Sequence, residues 1–185
     1  MNETTLIAIR HGETEWNRDG RIQGHSDPPL SAAGREQARA LAETLAAEPI
    51  GELWSSDLRR ALETAEPLAA RLGLDIRVSP ALRERSFGAD EGRVGAEVAA
   101  ELGTVAGTAR HGPDDRHPEG ESLRELYERV AAFLDALLAE STADEIALVT
   151  SGGPIRMASA YLAGEPVEAV VWAAVENCSV TTVEV

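Results

Sequence analysis

Cysteine is all but absent. Cys178 stands alone in 185 residues, which excludes an intrachain disulfide and any thiolate metal cluster built by this chain. Long apolar runs are missing too, and no stretch approaches the roughly 20 residues that a membrane-spanning helix needs. The start, Met1-Asn2-Glu3-Thr4-Thr5, has neither the basic segment nor the apolar run of a secretory signal, so a reduced cytoplasmic setting is expected. Positive charge is scarce: 17 basic against 32 acidic side chains leave a formal charge of −15. Such a field repels nucleic acid and anionic membranes at long range, and neither is expected as a partner. A few converging arginines can still reverse the potential inside a cleft, so a small anionic partner stays admissible. Lysine is absent as well, which with the abundant alanine points to genome composition rather than to function.

What remains is ordinary for a globular chain. Hydrophobic residues make up 43% and charged residues 26%, and a single domain over 1–185 has the length to bury roughly 70% of its unfolded surface. Thr5 to Ile9 is a short run with the β-branched content of a buried strand, stopped by Arg10-His11-Gly12. Residues 13–29 show no sustained period. Ser31 can cap a helix that carries Ala38, Leu41 and Leu45 on one face. A short strand is expected at 51–54, then a helix opened by Ser56 or Asp57 and ended by Gly73, then a strand over 74–78. A helix is expected from Val94 to Leu102, followed by a loop or lid at 103–120 that is long for a structureless connection. Ser122 and Glu125 form a capping-box pattern ahead of a long amphipathic helix. Glu145 to Thr150 reads as an interior strand, Ser151-Gly152-Gly153-Pro154 as its break, and 179–185 as a closing strand. The β/α alternation predicts an α/β domain with a mostly parallel sheet and helices on both faces. Polar residues just past the strand ends should then converge at the sheet's carboxyl edge.

Four polar elements sit where that convergence would gather them: Arg10-His11-Gly12-Glu13, Asp57 to Ala61, Glu84, and Ser151-Gly152-Gly153. Their chemistry is coherent for a phosphoryl group. The guanidinium forks of Arg10 and Arg60 match phosphate oxygens, and His11 offers a ring nitrogen for in-line attack on phosphorus. Helix starts near Arg60 and Gly153 would add backbone donors. The Glu84 carboxyl could hand a proton to the leaving oxygen.

The ordered motifs resemble the histidine phosphatase superfamily, in its cofactor-dependent phosphoglycerate mutase-like branch. Arg10 to Asn17 is similar to its signature, Arg21 to Leu30 to its phosphate-side loop, and Ser55 to Ala65 to its second arginine motif. Leu82-Arg83-Glu84 with Phe87-Gly88 and Glu91-Gly92 is similar to its acid motif, and Pro118 to Ser122 to the segment before its long helix. The resemblance implies a three-layer α/β/α sandwich of phosphoglycerate mutase-like type. It also implies a phosphomonoesterase acting on a small phosphorylated metabolite through phosphohistidine at His11, with no metal and no cofactor. Arg10 and Arg60 would grip the phosphate, and Glu84 would act first as acid, then as base toward water. Asn17, Gln23, Gly24 and Gly152 would be substrate-binding positions. Arg59, about 100° around the helix from Arg60, would face solvent or a surface carboxylate.

One position departs from the pattern: Ser151 stands where the family normally has a second histidine. Serine donates a hydrogen bond but carries no charge. Losing a charge-assisted bond of roughly 1.5–3 kcal/mol would slow phosphoryl transfer about ten- to a few hundred-fold. A substitution made to trap a ligand, a phosphatase with a compensating group, and a relative diverted to non-hydrolytic chemistry all stay open, as do a mutase and an inactive anion-binding protein. Bland alternatives stand beside the site residues. Glu84 could pair with Arg83 or Arg85, Asn17 could merely fix its loop, and Ser151 could be a turn or cap residue. His25, His111 and His117 read as solvated loop residues, with His111 or His117 the candidate to supply a missing cationic donor. Cys178 reads as a buried small residue. The histidine spacing gives no compact metal motif, and the sequence leaves oligomeric state open, a homodimer included.

Overall fold

The computed structural model describes residues 4–103 and 112–185. His111 and the middle of the expected lid lie outside those residues. The strands are β1 (Thr5–Arg10), β2 (Glu52–Ser55), β3 (Ile76–Val78), β4 (Glu145–Thr150) and β5 (Val180–Glu184). The helices are α1 (Glu15–Arg18), α2 (Ala32–Thr44), α3 (Arg59–Leu72), α4 (Gly95–Leu102), α5 (Leu123–Glu140) and α6 (Gly152–Leu162).

The sheet runs β3-β2-β4-β1-β5, parallel except for β5, which pairs antiparallel with β1. β1 and β4 occupy the middle, which is why both read as nearly continuous apolar runs: each face is covered. Ile7, Ile9, Ala147 and Val149 point to one face, against Leu41 of α2 and Leu68 of α3. Leu6, Ile146 and Leu148 point to the other, against Leu126 and Leu134 of α5 and Met157 of α6. The alternation along each strand thus feeds two cores, and the α/β/α sandwich expected from the sequence is what forms. Leu126 and Leu134 are fully buried, so truncating either to alanine would cost about 2–5 kcal/mol.

Local signals held best where a cap or a long stripe carried them. Ser31 accepts from the Gly34 amide at the start of α2, and Ser122 with Glu125 makes the full capping box of α5. Gly73 ends α3 in the left-handed conformation. The expected opening of α3 did not hold. Its N-cap is Leu58, with no side-chain cap; Asp57 instead binds the Arg83 guanidinium, which lowers the Asp57 pKa. The irregular stretch 13–29 contains the four-residue α1, whose capping box between Thr14 and Asn17 is too short to show as a period. Among the described residues no helix is long and apolar enough to cross a membrane.

Candidate active site

The register of the two central strands builds the site. Arg10 stands opposite Thr150, and the ladder runs one step further because the His11 amide donates to the Thr150 carbonyl at 2.8 Å. His11 and Ser151 therefore leave adjacent strand ends side by side, at the carboxyl edge where the alternation placed them. The turn after β1 is tightly seated on α2. A Cβ at Gly12 would come within 2.6 Å of the Gly34 carbonyl oxygen, so only glycine permits this approach. Thr64, one turn past Arg60 on α3, accepts the Gly12 amide at 2.9 Å and locks the turn from the other side.

His11 is buried, and its Nδ1 donates to its neighbour's carbonyl, the Gly12 oxygen, at 2.8 Å. That bond fixes the tautomer and leaves Nε2 with its lone pair. Burial, reinforced by the positive charges of Arg60 and Arg10, pushes the His11 pKa well below the ordinary imidazole value. The ring is thus neutral near pH 7, which is the state a nitrogen nucleophile needs.

Arg60 is almost completely buried. Its two terminal nitrogens donate to the Ser26 and Gly24 carbonyls at 2.8 Å, while its Nε has no partner among the described residues. Arg10 donates to the Val175 carbonyl and likewise keeps a buried Nε without a partner. Burial lowers the pKa of both arginines, and the Glu84 charge opposes that shift. Two desolvated guanidinium groups, each with an unfilled donor, strongly favour an anion. Arg59 is paired instead with Glu63 at 2.6 Å on the surface, as expected of the arginine facing away.

Glu84 is not the ion-pair partner of its neighbours. Arg83 pairs with Asp57, and Arg85 donates to the Glu121 and Asp115 carbonyls. The Glu84 carboxylate accepts from the Arg85 amide at 2.8 Å and from the Gly153 amide at 3.1 Å. It therefore sits at the N-terminus of α6, and a Cβ at Gly153 would lie 2.0 Å from its Oε1. One backbone donor at each of the two helix starts is already engaged: Asp27 takes the Arg59 amide at 2.6 Å, and Glu84 takes that of Gly153 at 3.1 Å. Ser151 is buried at the N-cap of α6, yet its hydroxyl makes no capping bond, so the cap reading does not describe it.

Arg10, His11, Asn17, Gln23, Gly24, Arg60, Glu84 and Ser151 line one cavity of about 200 Å³. Gly152 does not; a side chain there would meet Arg156 instead. Asn17 plays two parts, lining the cavity while its Oδ1 accepts from the Thr14 amide and hydroxyl. Gln23 is held by the Thr14 hydroxyl at 3.0 Å. His25 and His117 are not the solvated loop residues expected: both are part-buried, His25 donating to the Glu84 carbonyl at 2.9 Å and His117 bound to Asp90 at 2.8 Å. His117 lines the cavity. Cys178 is partly buried, packs beside the core, and has its thiol pushed up to about 11 by burial, which makes it a poor nucleophile.

Sequence reasoning missed Asn177, whose amide donates to the His11 carbonyl at 2.9 Å. Nothing local marks it, because the contact joins the last loop to the first. It also missed the apolar wall formed by Ile22, Phe87, Val98, Ala99 and Leu102. For α4 the only available signal was its small-residue apolar face. Among the described residues no cluster of three or more histidine, cysteine, aspartate or glutamate side chains could hold a metal ion.

Known proteins resemble this chain in sequence and fold. The chain is 39% identical over 155 residues to phosphoglycerate mutase-like protein 4 of Arabidopsis thaliana, covering 82% of this chain and 67% of that protein. Mycobacterial hydrolase 1 superposes with a TM-score of 0.91 at 32% identity, covering 98% of this chain and 91% of the other. A mycobacterial glucosyl-3-phosphoglycerate phosphatase in complex with VO3 superposes with a TM-score of 0.87 at 34% identity, covering 97% and 92%. Residues 6–185 match the family model described as histidine phosphatase superfamily (branch 1), and the chain belongs to that family.

Proposed function

We propose that this protein is a phosphomonoesterase that hydrolyses a small phosphorylated metabolite through a phosphohistidine at His11. The observation that carries the reading is the His11 ring itself: neutral, fixed through Nδ1, and sharing its cavity with two guanidinium groups, buried Arg60 and half-buried Arg10, each with a buried Nε that has no partner among the described residues. Arg10 and Arg60 bind the phosphoryl oxygens and offset their charge. Nε2 of His11 attacks phosphorus while the phosphorus–oxygen bond to the alcohol breaks. Glu84, in its acid form, gives its proton to the departing oxygen. Water then enters, Glu84 takes its proton, the water oxygen bonds to phosphorus, and the phosphorus–nitrogen bond breaks to release phosphate and neutral His11.

Ser151 serves as a neutral donor to the phosphoryl group, in the position where the family resemblance places a second histidine. Hydrolysis is favoured over mutase activity because a mycobacterial glucosyl-3-phosphoglycerate phosphatase superposes on 97% of this chain and is covered over 92% of its own length. Rapid-quench detection of an acid-labile phosphoryl adduct across phosphorylated metabolites tests the reading, with free phosphate and isomerised substrate measured together. The adduct should appear in the parent protein and be absent from His11→Asn. Isomerised substrate without free phosphate would make the protein a mutase. Tight binding without any adduct would make it an anion-binding relative.

A further inference from the structure

The cavity has two unlike halves. One is the charged floor already described; the other is the apolar wall of Ile22, Phe87, Val98, Ala99 and Leu102, interrupted by the imidazole of His117. A polar ring in such a wall costs free energy unless it is satisfied. The structure satisfies one side of it only. Nδ1 donates to Asp90 Oδ2 at 2.8 Å, and Asp90 Oδ1 is in turn held by Arg93 at 2.7 Å, so the carboxylate cannot rotate away. Burial alone would raise the Asp90 pKa, but the bonds from His117 and Arg93 outweigh it and keep the carboxylate charged. Phe87 packs edge-on against the ring at 5.0 Å. The imidazole is thus clamped from two directions, while its Nε2 has no partner among the described residues. The remaining charged group of this half, Arg21, is exposed and tied to the Gly92 carbonyl at 2.8 Å.

We propose that His117, positioned by Asp90, is a specificity residue that meets a hydroxyl on the alcohol portion of the substrate, and that this portion is otherwise apolar. The proposal rests on the phosphomonoester reading and narrows it to a substrate class. A hydroxyl suits Nε2 in either protonation state, donating to the neutral ring or accepting from the charged one. The apolar wall disfavours a polyol, whose other hydroxyls would lose water without gaining partners. A cavity of about 200 Å³ is small beside ordinary ligand pockets of about 300–1,000 Å³. It has room for a phosphoryl group and one ring-sized body against the apolar wall. The Asp90–His117 pair takes no part in bond making at phosphorus.

Non-hydrolysable phosphonates separate this proposal from the hydrolytic one, because they report binding whether or not the protein turns over. The probes are 2-phenylethylphosphonate, its three ring-hydroxylated isomers, and 2,3-dihydroxypropylphosphonate, with Kd measured by calorimetry. One hydroxylated isomer should bind at least about fivefold tighter than the unsubstituted compound, the worth of one hydrogen bond. His117→Ala should bring that ratio to within about twofold while the unsubstituted compound keeps its Kd within about threefold. His117→Gln, which retains a donor and an acceptor, should recover part of the ratio, and Asp90→Asn should lower it while leaving Nε2 in place. The proposal is overturned if no isomer outbinds the unsubstituted ring, if the ratio survives His117→Ala, or if both compounds weaken equally in a folded variant. Tighter binding of the dihydroxypropyl compound would also overturn it, as would failure of every arylalkyl phosphonate to bind. The matching phosphate esters are assayed beside them for released phosphate. Selective binding without release would leave this proposal standing and remove the hydrolytic one.

Discussion

Three of the helices begin with serine, and two of those serines, Ser122 and Ser151, have opposite fates. At the start of α5 the Ser122 hydroxyl accepts the Glu125 amide at 3.1 Å, and the Glu125 carboxylate returns the bond to the Ser122 amide at 2.8 Å. At the start of α6 the Ser151 hydroxyl caps nothing, and the Gly153 amide goes to Glu84, a residue 69 positions away. Both helices have the same orphan amides to satisfy. The first satisfies them locally and becomes more stable. The second lends them to a carboxylate that faces the cavity and keeps its own hydroxyl available for a ligand. A helix start that forgoes its local cap is where this fold places the candidate site.

The comparison is open to attack in several ways. The largest effect should come from Gly153→Ala. Its Cβ would fall 2.0 Å from Glu84 Oε1, so the carboxylate must move while the helix survives. A displacement of about 1 Å at a reacting group costs roughly a hundredfold in rate, and phosphate release should fall by about that factor with little change in Tm. Unchanged turnover would mean that Glu84 is not working from this position. Ser151→His should raise phosphate release at least about tenfold, by adding a charge-assisted donor. No rise in a folded variant would show a site rebuilt around serine.

Smaller effects separate the two helix starts by stability alone. Ser122→Ala should cost about 1 kcal/mol in chemical denaturation, the usual worth of an N-cap, and leave turnover unaltered. Ser151→Ala should cost less than about 0.5 kcal/mol, because there is no capping bond to lose. Equal losses would erase the distinction. The pH dependence of stability should separate the regions as well. The lowered His11 pKa means that only the unfolded chain takes up this proton just below pH 6.5, so stability falls with acidification in that window. Glu125 is lowered chiefly by the Ser122 amide, so its contribution is present above its ordinary 4.5 and lost only as pH falls below that. His11→Asn should therefore flatten the decline just below pH 6.5, and Glu125→Gln should flatten the decline below about 4.5.

The capping box of α5 was legible in the sequence because its whole physics lies within four residues. The same holds for the Arg10-His11-Gly12 turn, which follows a strand made visible by its apolar run. Arg60 could be preferred over Arg59 because it directly precedes Ala61, as in the motif of the family the sequence resembles, and one of the pair ended buried while the other reached Glu63. The opening of α3 was misread because Asp57, a good cap by type, found Arg83 across the fold. The Asp90–His117 bond and the Asn177 contact with His11 had no local sign at all, since their partners are 27 and 166 positions apart.

By itself the sequence determined most of the strands and helices, that β1 and β4 lie inside the sheet, and which motif carries the candidate imidazole. These follow from periodicity, capping and residue chemistry, all short-range. Only the tertiary structure decided that Glu84 rests on the start of α6, that the Ser151 hydroxyl is left uncapped beside His11, and that the cavity has an apolar side with one clamped histidine. Each of these depends on which strand ends lie next to each other, and that is set by the packing of two cores rather than by any one segment.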